Sequence, residues 1–414
     1  MSTLTTPEPL TKKYITPGVI ILAILAFNGI AFVLARLFFG IGAVTNLSDQ
    51  YPWGLWIGVD VAAGVALAAG GFTSAALGHV MHREDYHAIV RPALLTAMLG
   101  YTFVALGVMI DIGRWYYIWH PLLMWNGNSA LFEVGICVII YMTVLYIEFL
   151  PIVTERFMGR VQLKGILSIL NRPLESLLRT LDRTLSKTMF LFIIAGIVLS
   201  TLHQSSLGTL MIIAGPKIHP LWQTPVLPLL FLLSAVAVGF PMVIFESLLA
   251  SRSFGLKPEM HILSKLGTMV APLLGIYLAF KLGDMVIRET FVYLLEPTTE
   301  SVMFILEVAL GVVLPLRMFL SRAVVRSPLW LFVASMLVIL GVLLNRINNF
   351  IVAYTPPYAT GGYFPSVGEI SVTVGFVALL VLVYRFLVKV FPIISVEQRH
   401  TSPVTKYSIR GTAK

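Results

Sequence analysis

The stretch WGLWIGVDVAAGVALAAGGFTSAALG, residues 53–78, indicates the fold class of this chain. It contains one charged residue, Asp60, and at 1.5 Å of rise per residue a helix of this length crosses a hydrocarbon core of about 30 Å. Similar apolar runs recur along the whole chain. Of its 414 residues, 57% are hydrophobic and 12% are charged, against roughly 45 to 50% apolar residues in soluble domains. The sequence therefore predicts an integral membrane protein.

Hydropathy predicts an all-α, polytopic protein with about ten transmembrane helices in a single transmembrane domain, residues 1–414. The predicted spans lie near residues 17–41, 53–78, 91–113, 128–153, 187–212, 224–250, 263–286, 299–320, 328–352 and 367–391. Most of the 29 lysines and arginines fall in alternate connecting segments, which predicts that both termini lie in the cytoplasm. The predicted cytoplasmic segments are residues 1–16, a loop at 155–185 and a tail at 393–414.

The second predicted span has a surface of small residues. They are Gly54, Gly58, Gly64, Ala68 and Gly71. Small residues allow neighbouring transmembrane helices to approach closely, so we expect this span to be central in a helix bundle.

Composition excludes several functional classes. The single cysteine, Cys137, excludes an intrachain disulfide and an iron–sulfur cluster held by this chain alone. The net charge of +9 reflects basic residues in loops that set membrane orientation, so no nucleic-acid partner is expected. Of the eight histidines, His203 alone is predicted to lie within a span, so no haem with paired axial histidines and no other metal site is expected.

Ionisable and polar side chains inside predicted spans are the informative positions, because each costs about 2.5 to 3.5 kcal/mol on insertion scales. Several of them fall toward the outer side. Quinone reduction takes up two electrons and two protons, and it needs hydrogen-bond and proton donors beside the carbonyl oxygens. The predicted quinone-binding residues are Trp56, Asp60, Asp111, Arg114, His203, Arg346 and Asn349.

A second set of buried groups predicts a proton pathway. Glu133, Tyr141 and Glu148 are spaced so that they fall on one face of the fourth predicted span. Glu246 follows Pro241 in the sixth span and lies at the depth of Glu148. Buried carboxyls of this kind are plausible proton carriers from the cytoplasm toward the outer pocket.

A structural role is the alternative for each of these residues. Arg346 could form an ion pair with Asp60 or Glu307 that ties helices together. Glu148 and Glu246 could hydrogen-bond neighbouring helices or cap the basic cytoplasmic loops.

The segments DQYPWGLWIGVDVAAGVALAAGGF, residues 49–72, and DIGRWYYIWHP, residues 111–121, resemble the NrfD/polysulfide-reductase family of membrane subunits. The resemblance extends over essentially all ten spans and is strongest to the ten-helix HybB-type branch, the membrane subunit of periplasmic nickel–iron (NiFe) hydrogenase. The usual aspartate-x-glycine-arginine-proline end of the third span is present as Asp111, Gly113 and Arg114, but Trp115 replaces the proline.

The resemblance implies a haem-free, multi-pass subunit of the bacterial inner membrane, with two four-helix bundles and flanking helices. Such a subunit exchanges electrons between menaquinone or ubiquinone and a ferredoxin-like iron–sulfur subunit, which is bound to a periplasmic catalytic subunit such as a hydrogenase. It also implies an outer quinone site and proton passage involving Asp60, His203, Glu148 and Glu246.

A different functional class remains open from the sequence. A secondary transporter that couples a small solute to protons would also contain buried carboxylates and ten helices. It would have helices broken near the midplane at matching positions in two halves. The sequence offers Pro241 and Pro272, which lie in neighbouring spans. A purely structural anchor is the third possibility, and it would leave the outer polar residues unexplained.

Overall fold

The computed structural model describes residues 5–80 and 87–397. Within these residues, ten helices are long and apolar enough to cross a membrane. They are α1 (Pro17–Phe39), α2 (Trp56–Gly78), α3 (His87–Asp111), α4 (Ala130–Phe157), α5 (Asn171–Ala214), α6 (Leu227–Phe254), α7 (Met260–Ile287), α8 (Thr299–Phe319), α9 (Pro328–Val352) and α10 (Val367–Val390). The all-α, ten-span fold class is confirmed.

The helices pack as two groups of four with a flanking pair. Helices α2 to α5 contact one another, helices α6 to α9 do the same, and α1 packs along α10. The flanking pair meets where Gly29 faces Gly375, because a Cβ atom on Gly29 would lie 2.7 Å from the Cα atom of Gly375. The most buried of the ten helices is α2, as its small-residue surface predicts.

The largest departure from the predicted spans is the fifth one. We expected a loop over residues 155–185 and a helix starting at residue 187, but α5 is a single helix that begins at Asn171. Its 44 residues correspond to about 66 Å, twice the hydrocarbon thickness. Residues 171–185 therefore continue the helix beyond the predicted span, and the loop shrinks to the segment that follows α4.

The two described ends of the chain meet on one side of the helix bundle. Strand β1 (Thr5–Pro7) pairs antiparallel with β2 (Ser395–Glu397), a contact between distant segments that hydropathy could not predict. This pairing agrees with both termini lying on one side of an even number of spans. The predicted tail reaches residue 414, and its part from residue 398 onward lies outside the described residues, as do residues 1–4 and the basic segment that includes Arg83.

Helix α2 is irregular around Asp60. Residues Trp56–Ala63 form a π-helix, and a turn at residues 68–69 interrupts the helix further down. Wide helical turns of this kind are frequently found at functional sites. Pro241 and Pro272, by contrast, lie inside helices that continue past them.

Candidate functional site

Three acidic residues meet at the outer ends of α2, α3 and α10, and we call Asp60, Asp111 and Glu369 the outer carboxyl cluster. The carboxyl of Asp111 is close enough to those of Asp60 and Glu369 to interact electrostatically with both. Asp60 also accepts a hydrogen bond of 2.7 Å from the Thr373 hydroxyl of α10. The cluster joins helices that are distant in sequence.

Glu369 is held in place by the start of α10. Its carboxylate accepts hydrogen bonds from the backbone N–H groups of Ser366 at 2.9 Å and Asn46 at 3.1 Å. Ser366 in turn caps the helix by accepting from the N–H of Glu369, which completes a capping box. The indole N–H of Trp56 donates to the backbone oxygen of Glu369 at 3.2 Å. The predicted site residue Trp56 thus lies against this cluster.

Tyr363 connects the cluster to the loop that precedes α2. Its hydroxyl donates a short hydrogen bond to Glu369 and accepts one of 2.8 Å from the N–H of Leu55. Burial, together with the bond to Glu369, raises the pKa of Tyr363, so the hydroxyl keeps its proton. A Cβ atom on Gly54 would lie 2.7 Å from the Tyr363 Cζ atom. While Tyr363 occupies this place, only glycine fits at position 54.

The Arg36 side chain of α1 caps the C-terminal end of α3 beside Asp111. This fully buried guanidinium donates to the backbone oxygens of Ile110 and Ile112, two of the carbonyls that a helix leaves unpaired at its end. It also interacts electrostatically with Asp111. One carboxylate oxygen of Asp111, Oδ1, is buried and has no hydrogen-bond partner among the described residues. A buried acceptor without a partner costs about 1 to 3 kcal/mol, which marks this atom as a candidate ligand contact.

The other predicted quinone residues lie elsewhere. Arg114 is exposed beyond the end of α3. His203 is fully buried in the first bundle, where its Nδ1 atom and the Tyr101 hydroxyl share a hydrogen bond of 3.2 Å. The predicted quinone-binding residues therefore lie in separate places and do not line one outer pocket.

Arg346 and Asn349 belong to a polar group in the second bundle. The guanidinium of Arg346 stacks on the Phe231 ring, 3.6 Å from its centroid, and donates to the Ser234 hydroxyl at 2.9 Å. The Asn349 amide donates to the backbone oxygen of Asn345. Neither of the ion pairs considered for Arg346 forms as a salt bridge among the described residues, because Glu307 pairs with Lys281 instead.

The predicted proton-pathway residues of α4 all face α5, as their spacing predicts. Glu133 accepts a hydrogen bond of 2.6 Å from Ser206. The Tyr141 hydroxyl lies beside that of Ser200 of α5, and its ring packs edge-on against Tyr101 of α3, with ring centroids 4.4 Å apart. A Cβ atom on Gly196 would lie 2.6 Å from the Glu148 carboxylate. Glu133, however, lies at an exposed position rather than a buried one.

Glu246 lies apart from this stripe, in a cavity of about 60 Å³ between α3, α6 and α10, on the side where the two strands pair. Its Oε1 atom is buried without a hydrogen-bond partner among the described residues, and the hydroxyls of Thr96 and Tyr384 lie beside its carboxyl group. Lys257 and Ser395 line the same cavity. This position is accessible from the side on which the termini meet.

Sequence reasoning missed Arg36, Thr373, Tyr363 and Glu369. Arg36 looked like an ordinary basic residue at the end of a span. Glu369 carried a usable signal, since serine followed three residues later by glutamate before an apolar run is a helix-start pattern. That pattern locates a helix end, but it says nothing of the two other carboxyls that the fold brings beside it.

A search against known families identifies the chain. The family described as "Polysulphide reductase, NrfD" matches residues 43–356, which is most of the sequence. The chain belongs to the NrfD family. It is a multi-pass protein of the bacterial inner membrane, and its NrfD region contains α2 to α9 and therefore both bundles.

Three relatives show how this NrfD-family protein compares with characterised complexes. It is 36% identical over 396 residues to the "Probable Ni/Fe-hydrogenase 2 b-type cytochrome subunit" of Escherichia coli (94% of this chain and 95% of the relative). It is 28% identical to the "Menaquinone reductase, integral membrane subunit" of Nitratidesulfovibrio vulgaris (85% and 86%). It is 26% identical to a subunit of the selenate reductase of Mesobacillus selenatarsenatis (97% and 100%). The NrfD family thus includes membrane subunits of respiratory oxidoreductases.

The name of the first relative includes a b-type cytochrome, which binds haem through axial side chains such as paired histidines. Across residues 5–80 and 87–397, no group of three histidine, cysteine or acidic side chains could hold a metal ion. Among the described side chains, His203 is the one buried histidine, and its Nδ1 atom is engaged by Tyr101. The side chains described here therefore do not offer a pair of axial histidines for a b-type haem.

Proposed function

We propose that this NrfD-family protein is the quinone-reactive, haem-free subunit of a respiratory oxidoreductase, with the quinone head group bound at the outer carboxyl cluster. The unpartnered Oδ1 atom of Asp111 is the observation that carries this proposal. A quinol hydroxyl would supply the missing donor to a carboxylate, and a protonated Asp111 would supply the donor that a quinone carbonyl needs.

The chemistry requires two electrons and two protons per quinone. In the direction of reduction, two electrons reach the ring one at a time from an iron–sulfur subunit. One proton goes to each carbonyl oxygen, and Asp60 and Asp111 are the proposed donors. In the direction of oxidation, the same two carboxylates accept the protons of the quinol hydroxyls. Thr373 holds the Asp60 carboxyl through its hydrogen bond, while Tyr363 and Trp56 hold Glu369 beside Asp111.

The outer surface next to this cluster indicates what kind of partner the protein binds. The segment between α3 and α4 exposes a series of large apolar side chains: Tyr116, Trp119, Leu122, Leu123, Met124 and Trp125. Exposed apolar surface rimmed by polar residues is typical of a protein interface. We propose that it binds a ferredoxin-like iron–sulfur subunit, which connects the quinone site to a periplasmic catalytic subunit such as a NiFe hydrogenase.

The polar groups of the first bundle support a proton pathway. Glu133, Tyr141 and Glu148 face α5. His203 of α5 is hydrogen-bonded to Tyr101 of α3, and Tyr101 packs against Tyr141. We therefore assign His203 to this pathway rather than to direct quinone contact. Glu246 is its proposed cytoplasmic entrance.

The test is turnover of a soluble menaquinol or ubiquinol analogue by the purified intact complex. Asp60→Asn and Asp111→Asn should each lower kcat by at least 100-fold, because positioned acid–base groups contribute about 10² to 10⁴. Asp182→Asn, on the cytoplasmic extension of α5, is the matched control and should leave kcat unchanged. Unchanged turnover in both cluster variants, with normal assembly, would contradict the site.

Mass spectrometry of proteins that co-purify with the tagged chain tests the complex. Recovery of an iron–sulfur subunit with a catalytic subunit supports the proposal and names the electron donor. Recovery of the chain alone from mild detergent would favour a transporter of a small solute, and uptake assays would then replace quinol turnover.

A further inference from the structure

A groove on the cytoplasmic side of the second bundle is separate from every group described above. It has a volume of about 640 Å³ and lies between α7, the end of α8 and a short helix at Arg322–Arg326. This volume falls within the roughly 300 to 1,000 Å³ of small-molecule sites. The NrfD-type function proposed above gives it no role.

The groove combines basic rims with apolar walls. Arg322 and Arg326 are spaced four residues apart and are exposed, and Lys265 of α7 adds a third basic residue to the lining. No acidic side chain lines the groove, which lies wholly within the described residues. Ala271, Pro272 and Phe319 provide the apolar surface. Such a lining attracts an anionic group and also accommodates hydrocarbon.

The floor of the groove is built by a close approach of two helices. The Ser264 hydroxyl donates to the Val325 backbone oxygen at 2.9 Å, which ties α7 to the short helix. At Gly267 an added Cβ atom would lie 3.0 Å from Leu331 and 3.3 Å from Val325. The groove is thus fixed by packed elements rather than by loose loops.

The depth of the groove points to lipid. It lies at the predicted cytoplasmic ends of its helices, and Leu320 of its lining is 70% exposed. Leu329 (64% exposed) and Trp330 (54%) follow the short helix at the start of α9. Tryptophan is enriched at the level of lipid headgroups, and basic pockets between transmembrane helices on the cytoplasmic side bind anionic headgroups. We propose that this groove binds an anionic phospholipid, with its phosphate against Arg322 and Arg326 and its acyl chains along Phe319 and Leu320.

Native mass spectrometry of the delipidated, intact complex, titrated with diphosphatidylglycerol, tests this site. Arg322→Gln/Arg326→Gln should weaken binding about 25-fold, since each basic residue near an anionic lipid contributes a factor of about five. Arg179→Gln/Arg183→Gln removes the same charge from the cytoplasmic extension of α5 and should stay within twofold of the wild type. Equal weakening in both pairs would mean general attraction and would overturn the site.

A charge-preserving variant guards against misfolding, because loss of basic residues can disturb membrane orientation. Thr268→Trp fills the groove without changing charge and should weaken lipid binding at least tenfold. Full lipid binding by this variant would overturn the proposal. Inorganic phosphate, added at millimolar concentration, should not displace the lipid, and displacement would instead identify a site for a free anion.

Discussion

Replacement of Lys281 by methionine should destabilise the second bundle strongly. Lys281 and Glu307 form a salt bridge in which both side chains are buried, 6% and 1% exposed. The Glu307 carboxylate also accepts from the side chains of Asn345 at 2.8 Å, Trp222 at 3.0 Å and Asn348 at 2.7 Å. Removing one partner of a buried pair costs about 3 to 5 kcal/mol, because the other charge stays buried without compensation.

The structure places this variant toward the lower end of that range. Three neutral donors continue to bind the carboxylate after Lys281 is lost, and Arg346 lies close enough to interact with it electrostatically. We expect Lys281→Met to lower the free energy of unfolding by about 3 kcal/mol. Lys281→Met/Glu307→Gln removes both charges and keeps an acceptor oxygen, so it should recover most of that loss.

Titration with a denaturing detergent in mixed micelles measures these free energies. The control is Arg179→Met, which breaks the exposed Glu175–Arg179 pair and should have little effect. The reasoning is refuted if Lys281→Met is no more harmful than Arg179→Met. It is also refuted if the double variant is as unstable as the sum of its single variants, because the pair would then carry no coupling energy.

Three further predictions concern the outer loops and the cytoplasmic cavity. Gly54→Ala should displace Tyr363 and raise KM for quinol about tenfold, with little change in assembly. Steady-state kinetics at varied quinol concentration measure this KM, and an unchanged value would mean that Tyr363 does not contribute to the quinone site. Burial lowers the pKa of His219, so the stability provided by its neutral form is complete above about pH 6.5 and is lost as pH falls through the lowered folded value. His219→Gln should flatten this part of a stability-against-pH profile, and an identical slope would contradict the prediction. Glu246→Gln should reduce proton uptake by liposomes that contain the complex more than it reduces quinol affinity, whereas loss of assembly would indicate a structural role.

The described helices show which helix ends hydropathy predicts correctly. Nine of the ten predicted spans have their ends within about four residues of the observed helices, because a membrane requires each apolar segment to satisfy its own backbone hydrogen bonds. The exception is α5, which continues as a helix past the membrane to Asn171. A charged amphipathic helix and a charged loop have similar mean hydropathy, so the start of α5 could not be found in this way.

Hydropathy alone predicts which polar residues lie inside the spans and at what depth, since predicted depth follows from position within a span. Asp60, Asp111, His203 and Arg346 were identified by that rule. Which of them meet depends on how each helix is rotated and which helices are its neighbours, and this is visible only in the folded chain. Residues of similar depth can face different bundles, so Asp60 joins Asp111 and Glu369, while His203 meets Tyr101 and Arg346 meets Phe231.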